Sequence, residues 1–167
     1  MGRLIAALSA VVLGVLGTTG AAHAAGEPWL SSGLWGSGSG YSTIRFAGTD
    51  KCFDAALEDI GEDGGKVQIW TCGLGGDEQL WAPEYHEEWG GTVVRNKANG
   101  KCLDVALEEI DLEGGKVQLY ECTGNIEQLW RFDTHSGDLF LESKAVKGRF
   151  GAPSLTDGAQ IGLYQKS

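Results

Sequence analysis

The chain has 167 residues, with 13 Lys and Arg against 23 Asp and Glu, a formal net charge of −10. An acid excess with no basic patch argues against phosphate-backbone recognition and against docking to an anionic membrane surface, so neither nucleic acid nor membrane is expected as a partner. Hydrophobic residues make up 42% and charged residues 22%, too apolar for disorder, and 27 glycines with 6 tryptophans and 3 prolines point to a turn-rich, all-β single domain.

The N-terminus reads differently from the rest. Met1-Gly2-Arg3 gives a short positive start, residues 4–17 are apolar or small, and Ala22-His23-Ala24 supplies small residues at cleavage positions. This is the pattern of a secretory signal peptide, too short to span a bilayer. The expectation is a leader over residues 1–24, a domain over residues 25–167, and a secreted, extracellular product. Gly36-Ser37-Gly38-Ser39-Gly40 then reads as a turn, since too few residues precede it to form a domain.

From residue 51 the chain repeats itself. Lys51–Trp70 and Lys101–Tyr120 share 12 of 20 positions, and both run on to Glu-Gln-Leu-Trp, at Glu78–Trp81 and Glu127–Trp130. Self-similarity of this kind marks a repeated supersecondary unit. Within it, Val67-Gln68-Ile69-Trp70 and Val117-Gln118-Leu119-Tyr120 alternate with the period of a half-buried strand, after Gly-Gly turns at 64–65 and 114–115. Residues 55–60 and 105–110 allow single helical turns at most. A weaker third copy aligns Gly148-Arg149-Phe150 with Gly100-Lys101-Cys102 and Ile161–Tyr164 with Val117–Tyr120. That alignment puts Ala152 in the place of the aspartate and Gly162 in the place of the glutamine. The third copy lacks a closing Leu-Trp, and Leu34-Trp35 near the N-terminus is the matching piece. The expectation is that the N-terminal strand closes the third copy, with Trp35 against Ile161–Tyr164.

The cysteines follow the repeat. Cys52 and Cys72 are 20 apart, as are Cys102 and Cys122. Four cysteines allow three pairings; duplication selects Cys52–Cys72 and Cys102–Cys122. Zinc is the rival reading, without a Cys-x-x-Cys or Cys/His cluster to support it. No cofactor and no metal is expected, and the acidic loops 58–63 and 108–113 lack EF-hand spacing.

The run Lys-Cys-(Phe/Leu)-Asp, Gly-Gly-Lys-Val-Gln-(Ile/Leu)-(Trp/Tyr), Cys, Gln-Leu-Trp resembles the ricin-type β-trefoil lectin repeat, with its Gln-x-Trp signature, as found in secreted bacterial proteins. The resemblance covers about residues 33–167. It implies a β-trefoil of three repeats about a pseudo-threefold axis, the third degenerate, that binds galactose-, xylose- or related glycan-containing ligands as a monomer and without catalysis. Carried over residue by residue, the binding set is Asp54, Gln68, Trp70, Glu78 and Gln79 in the first copy, and Asp104, Gln118, Tyr120, Glu127 and Gln128 in the second. Glu78 and Glu127 stand where the family often has Asn.

The chemistry supports the set independently. An outward aromatic stacks on the C–H face of a sugar ring, while a carboxylate and an amide meet the hydroxyl rim. Alternatives remain open: Trp81 and Trp130 as core, the glutamines as strand caps, the aspartates as partners of turn amides. Two further classes also stand, a glycoside hydrolase-like enzyme and a protease-inhibitor trefoil. No Gly-x-Ser-x-Gly or His-Glu-x-x-His is present, and a hydrolase would need equivalent acids in unlike environments.

Overall fold

The computed structural model describes residues 29–30, 34–35, 40–46, 48–132, 139–141 and 148–165. The expected leader, residues 1–24, lies outside them, as do the side chains of the N-terminal strand residues. Among the described residues every regular element is a strand or a short 3-10 turn.

Each copy is built from two hairpins. The opening hairpins pair Leu34–Trp35 with Ile44–Arg45, Trp81–His86 with Gly91–Asn96, and Trp130–Phe132 with Leu139–Leu141. The second hairpins pair Lys51–Ala55 with Gly65–Thr71, Cys102–Val105 with Gly115–Tyr120, and Gly148–Ala152 with Gly162–Gln165. The second hairpins then meet around an axis. The Gly64 N–H donates to Leu119 O at 2.8 Å, Gly114 to Leu163 O at 2.9 Å, and Gly158 to Ile69 O at 2.9 Å. These three equivalent bonds run first to second, second to third and third to first copy, and they close a pseudo-threefold ring. The architecture is a β-trefoil.

The Gly-Gly pairs that preceded the strands have a physical cause. Gly64, Gly114 and Gly158 all sit at positive φ, 83°, 76° and 89°, where a side chain is strained. In the first two copies the next residue is glycine for want of room: a Cβ on Gly65 would lie 2.6 Å from Asp59 O, and one on Gly115 would run into Glu109 O.

Strand alternation sends Val67, Ile69, Val117, Leu119, Ile161 and Leu163 to the axis, where all are buried with Phe53, Leu103 and Phe150. Trp81 and Trp130 complete the core. Their indoles are fully buried, and each Nε1 donates to a carbonyl of the preceding copy, Phe53 O at 3.2 Å and Leu103 O at 3.0 Å. Each tryptophan of the Gln-x-Trp signature therefore locks one copy to the next. The disulfides Cys52–Cys72 and Cys102–Cys122 form within the copies, each with Cα atoms 5.1 Å apart; loops of this length contribute about 3 kcal/mol each.

Two expectations are corrected. The N-terminal segment does close the third copy, but through Trp29–Leu30, which pair with Ala152 and Gly151. Leu34–Trp35 instead pair with Ile44–Arg45 inside the first copy, and the Trp35 side chain lies outside the described residues. The third copy is also registered one residue away from its sequence alignment. Gly151, not Ala152, stands opposite Gly162, as Asp54 stands opposite Gln68. Core alternation decides this: Phe150 occupies the inward position of Phe53 and Leu103, and Ala152 is buried in the core. Of the two expected helical turns, the second forms as a 3-10 turn, Leu107–Glu109, while the first is an irregular turn.

Candidate functional site

Asp54 lies directly opposite Gln68, and Cys52 opposite Trp70. Opposed residues share a face, and since Phe53, Val67 and Ile69 take the core, this face is the outer one. The 3-10 turn Asp77–Gln79 folds back over it. Asp54 is left 4% exposed, its Oδ1 accepting from Gln68 Nε2 at 2.9 Å and its Oδ2 from Gln79 Nε2 at 3.1 Å. The second copy repeats the arrangement under the turn Ile126–Gln128. Asp104 Oδ1 accepts from Gln118 Nε2 at 2.8 Å and Oδ2 from Gln128 Nε2 at 3.0 Å.

Gln79 and Gln128 are buried and engaged at both ends. The second Nε2 hydrogen goes to Thr71 O at 3.2 Å or Glu121 O at 2.8 Å, and Oε1 accepts the Gly73 N–H at 3.0 Å or the Thr123 N–H at 2.8 Å. These two glutamines hold the aspartate and the loop after the second cysteine; they do not face solvent. Gln68 and Gln118 each keep an Oε1 toward the surface, bordered by a glycine of another copy: a Cβ on Gly158 would lie 3.7 Å from Gln68 Oε1, and one on Gly64 3.8 Å from Gln118 Oε1. Lys66 Nζ donates to Gly158 O at 2.6 Å and Lys116 Nζ to Gly64 O at 2.7 Å, fixing that border. Each candidate site is therefore assembled from two copies. The aromatic platforms differ. Trp70 is half-buried and Tyr120 is 39% exposed.

Burial pushes both aspartates above the ordinary carboxylate range. Asp104 is pushed up to about 6: desolvation dominates, the Gln118 and Gln128 amides oppose it, and Glu127 and Asp63 add to it. Asp54 is raised for the same reason, against Gln68 and Gln79 and with Glu78 and Glu58 adding. Glu78 and Glu127 are half-buried beside the aspartates, and Glu78 Oε1 accepts the Gly76 N–H at 2.7 Å. Near neutral pH each floor is an acceptor carboxylate held by two amides, beside an aromatic face. No group of three or more His, Cys, Asp or Glu side chains suited to a metal ion occurs among the described residues.

Over the first network lies a cleft of about 380 Å³, with Trp70, Lys66 and Gly158 on its walls and Leu57, Leu74 and Glu78 on its rim. Leu57, Leu74, Lys66 and Gly158 were missed from sequence. The signal for Leu57 was present, since Leu107 sits at the same offset from its aspartate; Gly158 comes from another copy and has no local signature. In the third copy Gly151 and Gly162 replace the carboxylate and the amide. A Cβ on Gly162 would lie 2.5 Å from Gly114 O, so the neighbouring backbone closes the space a side chain would need. Tyr164 keeps the platform position, its ring against Gly114.

The three-copy ring, with one Gln-x-Trp tryptophan joining the first copy to the second and another the second to the third, defines the class as a Gln-x-Trp β-trefoil. Residues 28–109 match the model of the ricin-type beta-trefoil lectin domain-like family, and residues 90–166 that of the ricin-type beta-trefoil lectin domain. The chain belongs to the ricin-type β-trefoil lectins. Among solved structures it resembles a designed threefold-symmetric protein, ThreeFoil, at 25% identity over 76% of this chain and 90% of that one, TM-score 0.64. It also resembles the β-trefoil lectin of the Vibrio vulnificus hemolysin/cytolysin, solved with N-acetyl-D-lactosamine bound, at 20% identity over 76% and 85%, TM-score 0.55. The Polyporus squamosus lectin, solved with a sialylated epitope, matches at 20% identity over 80% of this chain and 46% of its own, TM-score 0.62. No curated protein matches the chain.

Proposed function

We propose that the protein is a secreted, monomeric lectin-like domain that binds glycans at two sites and performs no reaction on them. The observation that carries this is the duplicated network in which two glutamines hold a buried aspartate beside an outward aromatic, present in two copies and replaced by glycines in the third. Asp54 and Gln68, and Asp104 and Gln118, meet ligand hydroxyls; Trp70 and Tyr120 stack on the ring; Glu78 and Glu127 accept from outlying hydroxyls. Gln79 and Gln128 position the aspartates. Two intrachain disulfides and the leader-like residues 1–24 support export, because such bonds persist in oxidising compartments.

Shallow sites exchange water hydrogen bonds for protein ones, so a monosaccharide binds each near the millimolar level, about −4 kcal/mol. A polysaccharide spanning both binds more tightly through effective concentration. Trp70 has the larger face and makes the stronger site. A glycan array on the mature chain, followed by calorimetry with the best hit, tests the reading. The expected stoichiometry is two. A stoichiometry of three, or no glycan bound, overturns it.

A further inference from the structure

The two sites share a floor but not a rim. The first copy's connection from Cys72 to Gln79 is one residue longer than that from Cys122 to Gln128. The longer loop, Gly73-Leu74-Gly75-Gly76, carries Leu74, which is 74% exposed and lines the cleft with Leu57, 66% exposed. Gly75 fixes the loop: a Cβ there would lie 2.7 Å from the Gln79 side chain, so the backbone rests on the buried glutamine and Leu74 is held at the rim. In the second copy Leu107 keeps the place of Leu57, but the shorter loop has Gly124, and the Trp89 indole packs against its α-carbon.

Single exposed leucines are ordinary. Two on one cleft, flanking an aromatic and a polar floor, form a divided surface. A bare sugar ring over Asp54 and Gln68 occupies part of the 380 Å³ and leaves the side chains of Leu57 and Leu74 in water beside it, where an apolar group could cover them. We infer that the first site takes a sugar carrying an apolar substituent, an acyl or aryl group, with the ring on Trp70 and the substituent against Leu57 and Leu74, while the second site takes the bare ring. This rests on the carbohydrate reading above and extends it to a difference in specificity between the copies.

The test uses the mature chain carrying Tyr120→Ala, which removes the second platform, and calorimetry with methyl and phenyl β-glycosides of galactose, xylose and glucose. The phenyl glycoside binds at least about fivefold tighter than the methyl glycoside of the same sugar, since a ring leaves water. Adding Leu74→Ser brings the two affinities together, with an unchanged melting temperature, because the side chain is largely exposed. In the reciprocal Trp70→Ala chain the second site shows a ratio near one. Methyl glycosides that bind without a phenyl advantage, or an advantage that survives Leu74→Ser, overturn this inference and leave the carbohydrate reading standing. No binding of either glycoside of any of the three sugars overturns both.

Discussion

The first and second sites superpose in their buried parts and diverge at the surface. Each aspartate is held by two amides at 2.8–3.1 Å, and each is bordered by a glycine of another copy. Above that layer the first site has Trp70 where the second has Tyr120, and Leu74 on its longer loop where the second has Gly124 beneath Trp89. The network is costly to alter, because every amide hydrogen it buries needs a partner. The rim is free to change, because a side chain there exchanges contacts with water. On the proposed reading, this division keeps the binding chemistry while altering selectivity.

Loss of both carboxylates gives the largest effect. Asp54→Ala with Asp104→Ala abolishes glycan binding and takes the calorimetric stoichiometry from two to zero. It also costs roughly 1–3 kcal/mol per site, because two glutamine amides lose their acceptor. The Asn pair separates the two effects: Gln68 and Gln118 can turn their carbonyls inward, so the melting temperature holds while affinity falls about tenfold through loss of the charge-assisted bond. Binding that survives the Ala pair would break the equivalence of the sites.

Gln79→Ala and Gln128→Ala come next. Each strips one amide from a buried carboxylate and leaves loop N–H groups unpaired, so each lowers stability by about 3 kcal/mol in chemical denaturation. A variant that loses sugar affinity at full stability would make that glutamine a ligand contact instead of a positioning residue.

The third effect is in pH. Asp104 has a folded pKa near 6 against an ordinary 3.8, so between those values the folded chain binds the extra proton. Its contribution to stability is fully present below pH 3.8 and is lost as pH rises through 6, amounting to about 3 kcal/mol. Asp63 and Asp157 are shifted the other way, Asp63 chiefly by its bond to Lys101 and Asp157 by Lys51 and Thr71 against desolvation, and their contribution is lost as pH falls below 3.8. Denaturation at pH 4 and pH 7 should show a larger loss in the parent chain than in Asp104→Asn, which keeps the contribution of Asp54, shifted in the same direction. Sugar affinity at the second site falls in the opposite sense, as pH drops through 6, since the protonated acid is a poorer acceptor. A flat binding profile from pH 7 to 5 would show that Asp104 does not meet the ligand as a carboxylate.

The smallest effect lies behind the sites. Lys51–Asp157 and Lys101–Asp63, both 2.6 Å, join equivalent positions of neighbouring copies and are half-buried on the lysine side. Lys51→Ala and Lys101→Ala each cost at most about 1 kcal/mol by denaturation, equally and with salt sensitivity. Unequal losses would show that the frames of the two sites differ as well as their rims.

The sequence carried the repeat, the disulfide pairing and the placing of Asp, Gln and aromatic together on one face in the first two copies, because cysteines and alternating strands report directly on neighbours along and across a hairpin. It failed where a property belongs to the assembled ring. The third copy has no cysteine to anchor it, and matching Arg149 to Lys101 moved the alignment by one; the inward place of Phe150 would have corrected it. The two-residue strand Trp29–Leu30 is too short to show a period. Gln79 and Gln128 look like ligand contacts until the 3-10 turns fold them inward, and Gly158 reaches the first site only through the ring.

That ring has a direction. The third copy lends Gly158 to the first site, the first lends Gly64 to the second, and the second lends Gly114 only to Tyr164. The degenerate copy is therefore still a working wall, and trimming the chain at its C-terminal end would disarm the first site before the second. Damage passes forward by one step: a lesion at residues 61–64 disturbs the border of Gln118 in the next copy. The tip at residues 111–113 is exposed and serves neither site's border, which makes it the place where a peptide insertion or a fluorescent label leaves both candidate sites as they are.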